Sequence, residues 1–326
     1  MAAGQDPLLD PAPPKRRLWL PGRAAWKGIL VAILVLVVIG TPVGMLVTHK
    51  IDDDPGFGVE EANMPPAASR AIAMAAALID REVNVNRWVA NDPWFLPGHW
   101  LDNMPNFQMG MVAAIARFTV EMRDQVGRER GTSQDDVDLR EAAGRLQFPG
   151  DKWIIDLATS PWPQATSEEH YRTARRHLLN YNARLSDGRA IFERRGDSLL
   201  ALMDRLALDL GSSSAVLDQR INAESGNPFD SRADDIFYSI KGQAYGYLLI
   251  LRELQKDFGP LIKDRGIEPI WNNMLASLRH VAEMDPLVVL NGQPDGILFP
   301  SHLASQGFYI LRARQQMREV SNILLK

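Results

Sequence analysis

The sequence predicts an all-α protein: a single N-terminal transmembrane helix followed by a multi-helix bundle with a long helical hairpin. Three observations predict it. Twenty residues from Gly28 to Val47 carry no charge. Apolar residues beyond Ala67 recur at spacings of three and four, the period of a helix with one buried face. Strand-like alternation is confined to Leu287–Leu290, and no repeat of roughly 20–50 residues marks a solenoid.

The chain has 326 residues, 46% of them apolar and 23% charged, with a formal net charge of −4 and no cysteine. This composition excludes the low-complexity, collagen-like and wholly disordered classes. Without cysteine there is no disulfide framework, no Cys-ligated zinc, no iron–sulfur cluster and no thiol nucleophile. The net charge hides a division: residues 1–27 sum to +3 and the remainder to −7. An acidic body of this kind does not favour nucleic acid as a partner.

Residues 1–27 form a basic tail with Lys15, Arg16, Arg17, Arg23 and Lys27. Residues 28–48 form the span. A twenty-residue helix is about 30 Å long, the thickness of a bilayer's hydrocarbon core. Trp19 and Trp26 stand where interfacial aromatics stand, and Gly40, Pro42 and Gly44 crowd the far end. The run is longer than the core of a cleaved signal peptide and lacks an Ala-x-Ala site. Basic residues precede the span and Asp52, Asp53 and Asp54 follow it. The positive-inside rule therefore puts residues 1–27 in the cytoplasm and the body outside it. Residues 49–66 read as an exposed acidic linker rich in Gly and Pro. Its stretch 51–66 extends to at most about 55 Å.

Residues 67–326 are expected to form the helical domain. Ile72, Ala75, Ile79 and Val83 mark a helix within Ala67–Val89, and Asn106–Val126 is apolar on most faces, as a central helix would be. The charged segment Asp124–Gly150 reads as a surface excursion with one short helix from Ser133. Thr166 and Glu169 make a capping box ahead of Tyr171, Ala174, Leu178, Tyr181 and Leu185. After the turn at Asp187-Gly188, Leu199 through Ile221 continue the spacing, with a weak point at Gly211 and Ser212–Ser214. These two segments predict the hairpin, with coiled-coil-like packing. Phe237 to Phe258 repeats 3-4-3-4 without a break and carries Gly242 and Gly246, a pair that lets another backbone approach. Helices around Trp271–Val281 and Ile310–Leu324 complete the body, the last with Ser301 as N-cap.

No catalytic signature emerges. There is no HExxH, nucleophile elbow, Walker A loop or dinucleotide fingerprint, and no cofactor or metal is expected. His170 and His177 share a helix face about 10 Å apart, too far for one zinc, and read as solvated. The densest unusual stretch is Asn91–Asn106, with Trp94, Phe95 and Trp100 among prolines, Asp102, Asn103 and Asn106. It either plugs a bundle end or presents rings and amides to a ligand. Asp234 and Asp235 start a helix, where the macrodipole favours anions. Neighbours at i and i+1 diverge by about 100°, which makes them a poor dyad by themselves. Asn291 lies in a turn, and His302 follows Ser301.

Three motifs carry a family resemblance: Trp100-Leu101-Asp102-Asn103-Met104-Pro105-Asn106, the Asp234-Asp235-x-Phe237-Tyr238 helix start, and Val289-Leu290-Asn291-Gly292 followed by His302. They resemble the bacterial domain of unknown function 2333 from the span to the C-terminus. The resemblance implies a bacterial envelope protein with one span in the inner membrane and a periplasmic domain, and supplies no reaction. The resulting expectation is a membrane-anchored binding or assembly component. Its partners are the bilayer, through residues 28–48, and a protein or cell-wall component, with homo-oligomerisation also open to it. Two alternatives differ in class. One is a carboxylate-dependent hydrolase or lyase acting on an envelope polymer. The other is a sensor or assembly factor signalling through the tail. The candidate pocket comprises Trp94, Trp100, Asp102, Asn103, Asn106, Asp234, Asp235, Asn291 and His302.

Overall fold

The computed structural model describes residues 23–59, 65, 67–129, 135–155, 160, 162–224, 230–293, 296 and 299–326. Most of the basic tail, part of the acidic linker and the helix start expected at Ser133 lie outside them. The chain divides into two units, Met1–Gly44 and Met45–Lys326.

In the first unit, α1 (Arg23–Val35) passes through a widened π turn, Leu36–Gly40, into α2 (Thr41–Thr48), which runs on into the second unit. Pro42 has no N–H to give the carbonyl one turn back, and the widened turn just before it absorbs that loss. Residues Ala25–Thr48 have a mean hydropathy of 2.8, and none of that surface is buried. Among the described residues this is the one helix long and apolar enough to cross a membrane.

Among its described residues the regular elements of the second unit are helices: α3 (Arg70–Asp80), α4 (Asn103–Glu129), α5 (Val137–Leu146), α6 (Ser167–Ser186), α7 (Gly196–Ala223), α8 (Ser231–Asp257), α9 (Gly259–Asp264), α10 (Glu268–Ala282) and α11 (His302–Leu324). The capping residues do what their chemistry predicts. The Thr166 hydroxyl accepts from the Glu169 N–H and that of Ser301 from the Ala304 N–H. Ser69 caps α3, and the buried Asp257 carboxylate also accepts from the Arg70 and Ala71 N–H groups, an anion held at a helix start.

Helix α8 is the axis, with α3, α4 and α10 packed around it. The α4–α8 pair is the closest. A Cβ added at Gly242 would strike the Phe107 carbonyl, and one at Gly110 would strike the Ser239 carbonyl. Gly246 faces Ala114. Contacts therefore advance together along both helices, so the pair is parallel and both helices start at the same end. The glycine pair on α8 does admit a second backbone; its counterpart Gly110 on α4 completes the seam.

Three expectations are corrected. The hairpin does not form: α6 packs on α3 and α5, whereas α7 packs on α11 and α4. Each stripe is buried as its spacing requires, but against other partners. Gly211 and the serines do not interrupt α7. Gly211 makes room for the Arg314 guanidinium, and Ser213 bonds Gln243 at 2.5 Å. The linker is not free over residues 51–59. Asp53 sits 2.6 Å from the Nζ of Lys241, a side chain only 1% exposed, and Asp52 lies 3.4 Å from Arg81. Arg252 donates to the Pro55 and Phe57 carbonyls, and Ile51, Phe57 and Val59 pack on the core. Its acids are counter-ions for cations that the helical pattern buries.

Candidate functional site

Because α4 and α8 are parallel and meet through glycines, the polar residues of their first turns converge. Asn106 Nδ2 donates to Asp235 Oδ1 at 2.7 Å and to the Asp102 carbonyl at 3.0 Å. Asp102 and Asp235 are close enough for the charge of one to raise the pKa of the other, as are Asp102 and Asp234. Asn103 bonds the buried Tyr238 hydroxyl. Five of the nine candidate residues, Asp102, Asn103, Asn106, Asp234 and Asp235, thus share one end of one helix pair.

The two adjacent aspartates diverge, as helix geometry demands. Asp235 faces an open groove of about 410 Å³ between α4, α7 and α8, whose polar lining includes Asn106, Asp209, Ser212, Ser213 and Gln243. Asp234 faces a recess of about 320 Å³ formed with Asn103, Asp230, Tyr238 and the loop Pro286–Val289. Sequence reasoning missed Asp209 and Gln243, and met Tyr238 only within a family motif. Each sits on a helix face whose periodicity marks it only as neither core nor surface.

Electrostatically the site is under-compensated. Burial, then the charges of Asp102 and Asp235, lift Asp234 to about 6. Partial desolvation and Asp235 raise Asp102, which stands at the rim. Neither has an ion-pair partner among the described residues. Burial, with the nearby Asp234 charge, pushes the Tyr238 hydroxyl up to about 12, so it stays neutral. Asp230 behaves differently: Arg220 grips it and holds its carboxyl below the usual range. Among the described residues no group of three or more His, Asp or Glu is arranged to hold a metal ion.

The other four candidates lie elsewhere. Among the described residues, Asn291 is fully buried, reaches the site through Asp230, 3.4 Å away, and leaves its own Oδ1 unpaired. His302 pins a turn: its Nδ1 accepts from the Leu290 N–H at 2.9 Å, and its backbone N–H donates to the Leu290 carbonyl. Burial lowers its pKa, which keeps that acceptor unprotonated. Trp94 and Trp100 are exposed on the loop before α4, the Trp100 indole donating to the Trp94 carbonyl at 3.1 Å. His170 and His177 are not simply solvated. His170 stacks on Phe148 at 3.8 Å, and His177 meets Asp138 at 2.9 Å.

Fold and site together define a class: an all-α bundle with an acidic, amide-lined cleft at the paired starts of two parallel helices, preceded in the chain by one apolar helix. The chain belongs to DUF2333, described as uncharacterized proteins conserved in bacteria, whose family model matches residues 24–326. No curated protein and no solved structure matches it.

Proposed function

We propose that this is a single-span envelope protein, with residues 28–48 in the inner membrane, 1–27 in the cytoplasm and the body in the periplasm. The body binds a hydroxyl- and amide-rich wall component in the α4–α7–α8 groove and presents it to an assembly. The observation that carries this is the convergence of Asn106 and Asp235 with Asp209, Ser213 and Gln243 on one open groove. Hydroxyls, amides and carboxylates around a partly apolar floor suit a glycan or a wall peptide. The test is calorimetric titration of the full chain in detergent with soluble wall fragments. Wild type should bind, and N106A with D235N should weaken binding at least tenfold. Equal binding by both would remove the groove from the function.

Asp234 favours a second reading. A carboxyl that titrates near 6 beside other carboxylates can hold a proton for a leaving oxygen, as acid–base hydrolases and lyases require. Cleavage products in the same mixtures, lost in D234N, would establish it; intact fragments after prolonged incubation would discard it.

A further inference from the structure

The loop that leads into α4 is built inside out. Two of its polar side chains turn inward: Asn91 Nδ2 donates to the Glu168 carboxylate at 2.7 Å and to the Lys152 carbonyl at 2.9 Å, and Asp92 is held by Arg87 at 2.7 Å. Its rings turn outward. Trp94 is 72% exposed and Trp100 59%. Phe95, also exposed, packs edge-on against Trp153 with ring centroids 5.7 Å apart, which joins this loop to a second one. There Ile154 and Ile155 are exposed, and the Ile154 carbonyl accepts from the Gln164 N–H at 3.0 Å, beside Trp162 at 76% exposure. Two loops thus bring exposed aromatic and aliphatic side chains onto one surface, with the His99 ring edge-on to Trp100 at 5.6 Å. A sugar-stacking surface sets amides and carboxylates beside its rings, and here the Asn91 amide and the Asp92 carboxylate are spent internally.

The chain itself indicates the occupant. Lys50, two residues beyond the end of α2, has its backbone N–H against the Met104 sulfur at 3.2 Å. Met104 is four residues after Trp100, at most about 14 Å along the chain. The aromatic surface therefore lies beside the point where the body receives the chain from the apolar helix. We propose that residues 93–100, with Trp153, Ile154, Ile155 and Trp162, are a membrane-docking surface, which seats the body in the headgroup boundary of the bilayer that its own helix spans. Tryptophan and isoleucine at loop tips suit that boundary, where rings meet acyl chains and indole N–H groups meet headgroups. A surface linked covalently to a span docks at high effective concentration, so modest affinity suffices.

This rests on the single-span reading above, and one experiment separates the two. The chain has no cysteine, so single cysteines report cleanly. L34C, W94C, I155C and Q315C, each in the full chain, are labelled with an environment-sensitive fluorophore. They are reconstituted in phosphatidylethanolamine–phosphatidylglycerol nanodiscs with and without doxyl-labelled lipid. Matching melting curves show that each variant is folded. Position 34 reports the span, and position 315, exposed on α11, is the control. The expected result is strong quenching at 34 and at least threefold more quenching at 94 and 155 than at 315. Quenching at 34 with positions 94 and 155 no different from 315 overturns the docking and leaves the anchor standing; a soluble partner on this surface would give that pattern. No quenching at 34 overturns both.

Discussion

Two acidic clusters in this body are built from the same residue type and behave oppositely. Between α5 and α6, Asp136 and Asp138 share the Arg184 guanidinium at 2.5 and 2.6 Å, and Asp138 also meets His177. Hydrogen bonds and charge from Arg184 outweigh burial and hold Asp136 below the usual carboxylate range. At the starts of α4 and α8, partial burial and then the neighbouring carboxylates raise the pKa values of Asp102 and Asp234. The first cluster fastens helices together. The second leaves charge without an ion-pair partner among the described residues, which is what a binding site offers and a structural joint does not.

The largest effect should come from breaking the satisfied cluster. R184M removes the Arg184 guanidinium from Asp136, itself 1% exposed. We expect a loss of about 3 kcal/mol, read as a shift in the denaturation midpoint of the full chain in detergent. A loss below about 1 kcal/mol would show that the two clusters are alike.

Next in size is the seam that creates the cleft. G242A drives a Cβ into the Phe107 carbonyl, which cannot swing aside as a side chain would. It should cost about 2–3 kcal/mol and abolish wall-fragment binding. G144A, on an exposed helix position with nothing within 4 Å, should instead gain up to about 1 kcal/mol. If both substitutions behave alike, the seam does not set the α4–α8 distance.

The third prediction has opposite signs in the two clusters. Asp234 binds its proton more tightly in the fold than the ordinary value of 3.8 implies, so its contribution falls as pH rises from there to about 6. D234N should therefore stabilise the protein at pH 7.5, by about 1 kcal/mol once solvent screening is allowed for, and the gain should vanish below pH ~4. Asp136 has a lowered pKa, so its contribution is present above the ordinary value and is lost as pH falls through the folded one. D136N should destabilise at neutral pH, with the deficit shrinking in acid. Midpoints measured across pH for both variants check the pair of signs.

The smallest effect on stability belongs to the aromatic loop. W94S touches a largely exposed ring and should stay within about 0.5 kcal/mol of wild type while weakening membrane docking. A larger loss would make the ring part of the core.

Much of this was legible. Ser301 and Thr166 cap helices because a hydroxyl at that position satisfies an N–H that the helix cannot. Gly242 and Gly246 announced a close neighbour. The Asp102–Asn106 and Asp234-Asp235 motifs each pointed to a helix start. Their proximity was not legible, because it depends on α4 and α8 running parallel, and a stripe of apolar residues says which face is buried, not against what. The hairpin failed for that reason: two matched stripes joined by a short turn found better surfaces on α3, α5, α11 and α4. The acids after the span looked like linker because nothing local reveals that Lys241 and Arg81 are buried and need them.

The sequence alone determined the helices, their caps and the one apolar segment long enough to span a bilayer. Those follow from local forces: hydrogen bonds within a few residues and the partition of side chains between water and an apolar phase. Only the tertiary structure decided which helices pair, where the uncompensated carboxylates gather and which aromatic rings face outward. Those depend on shape and charge matching between segments more than a hundred residues apart, such as Asn106 and Asp235.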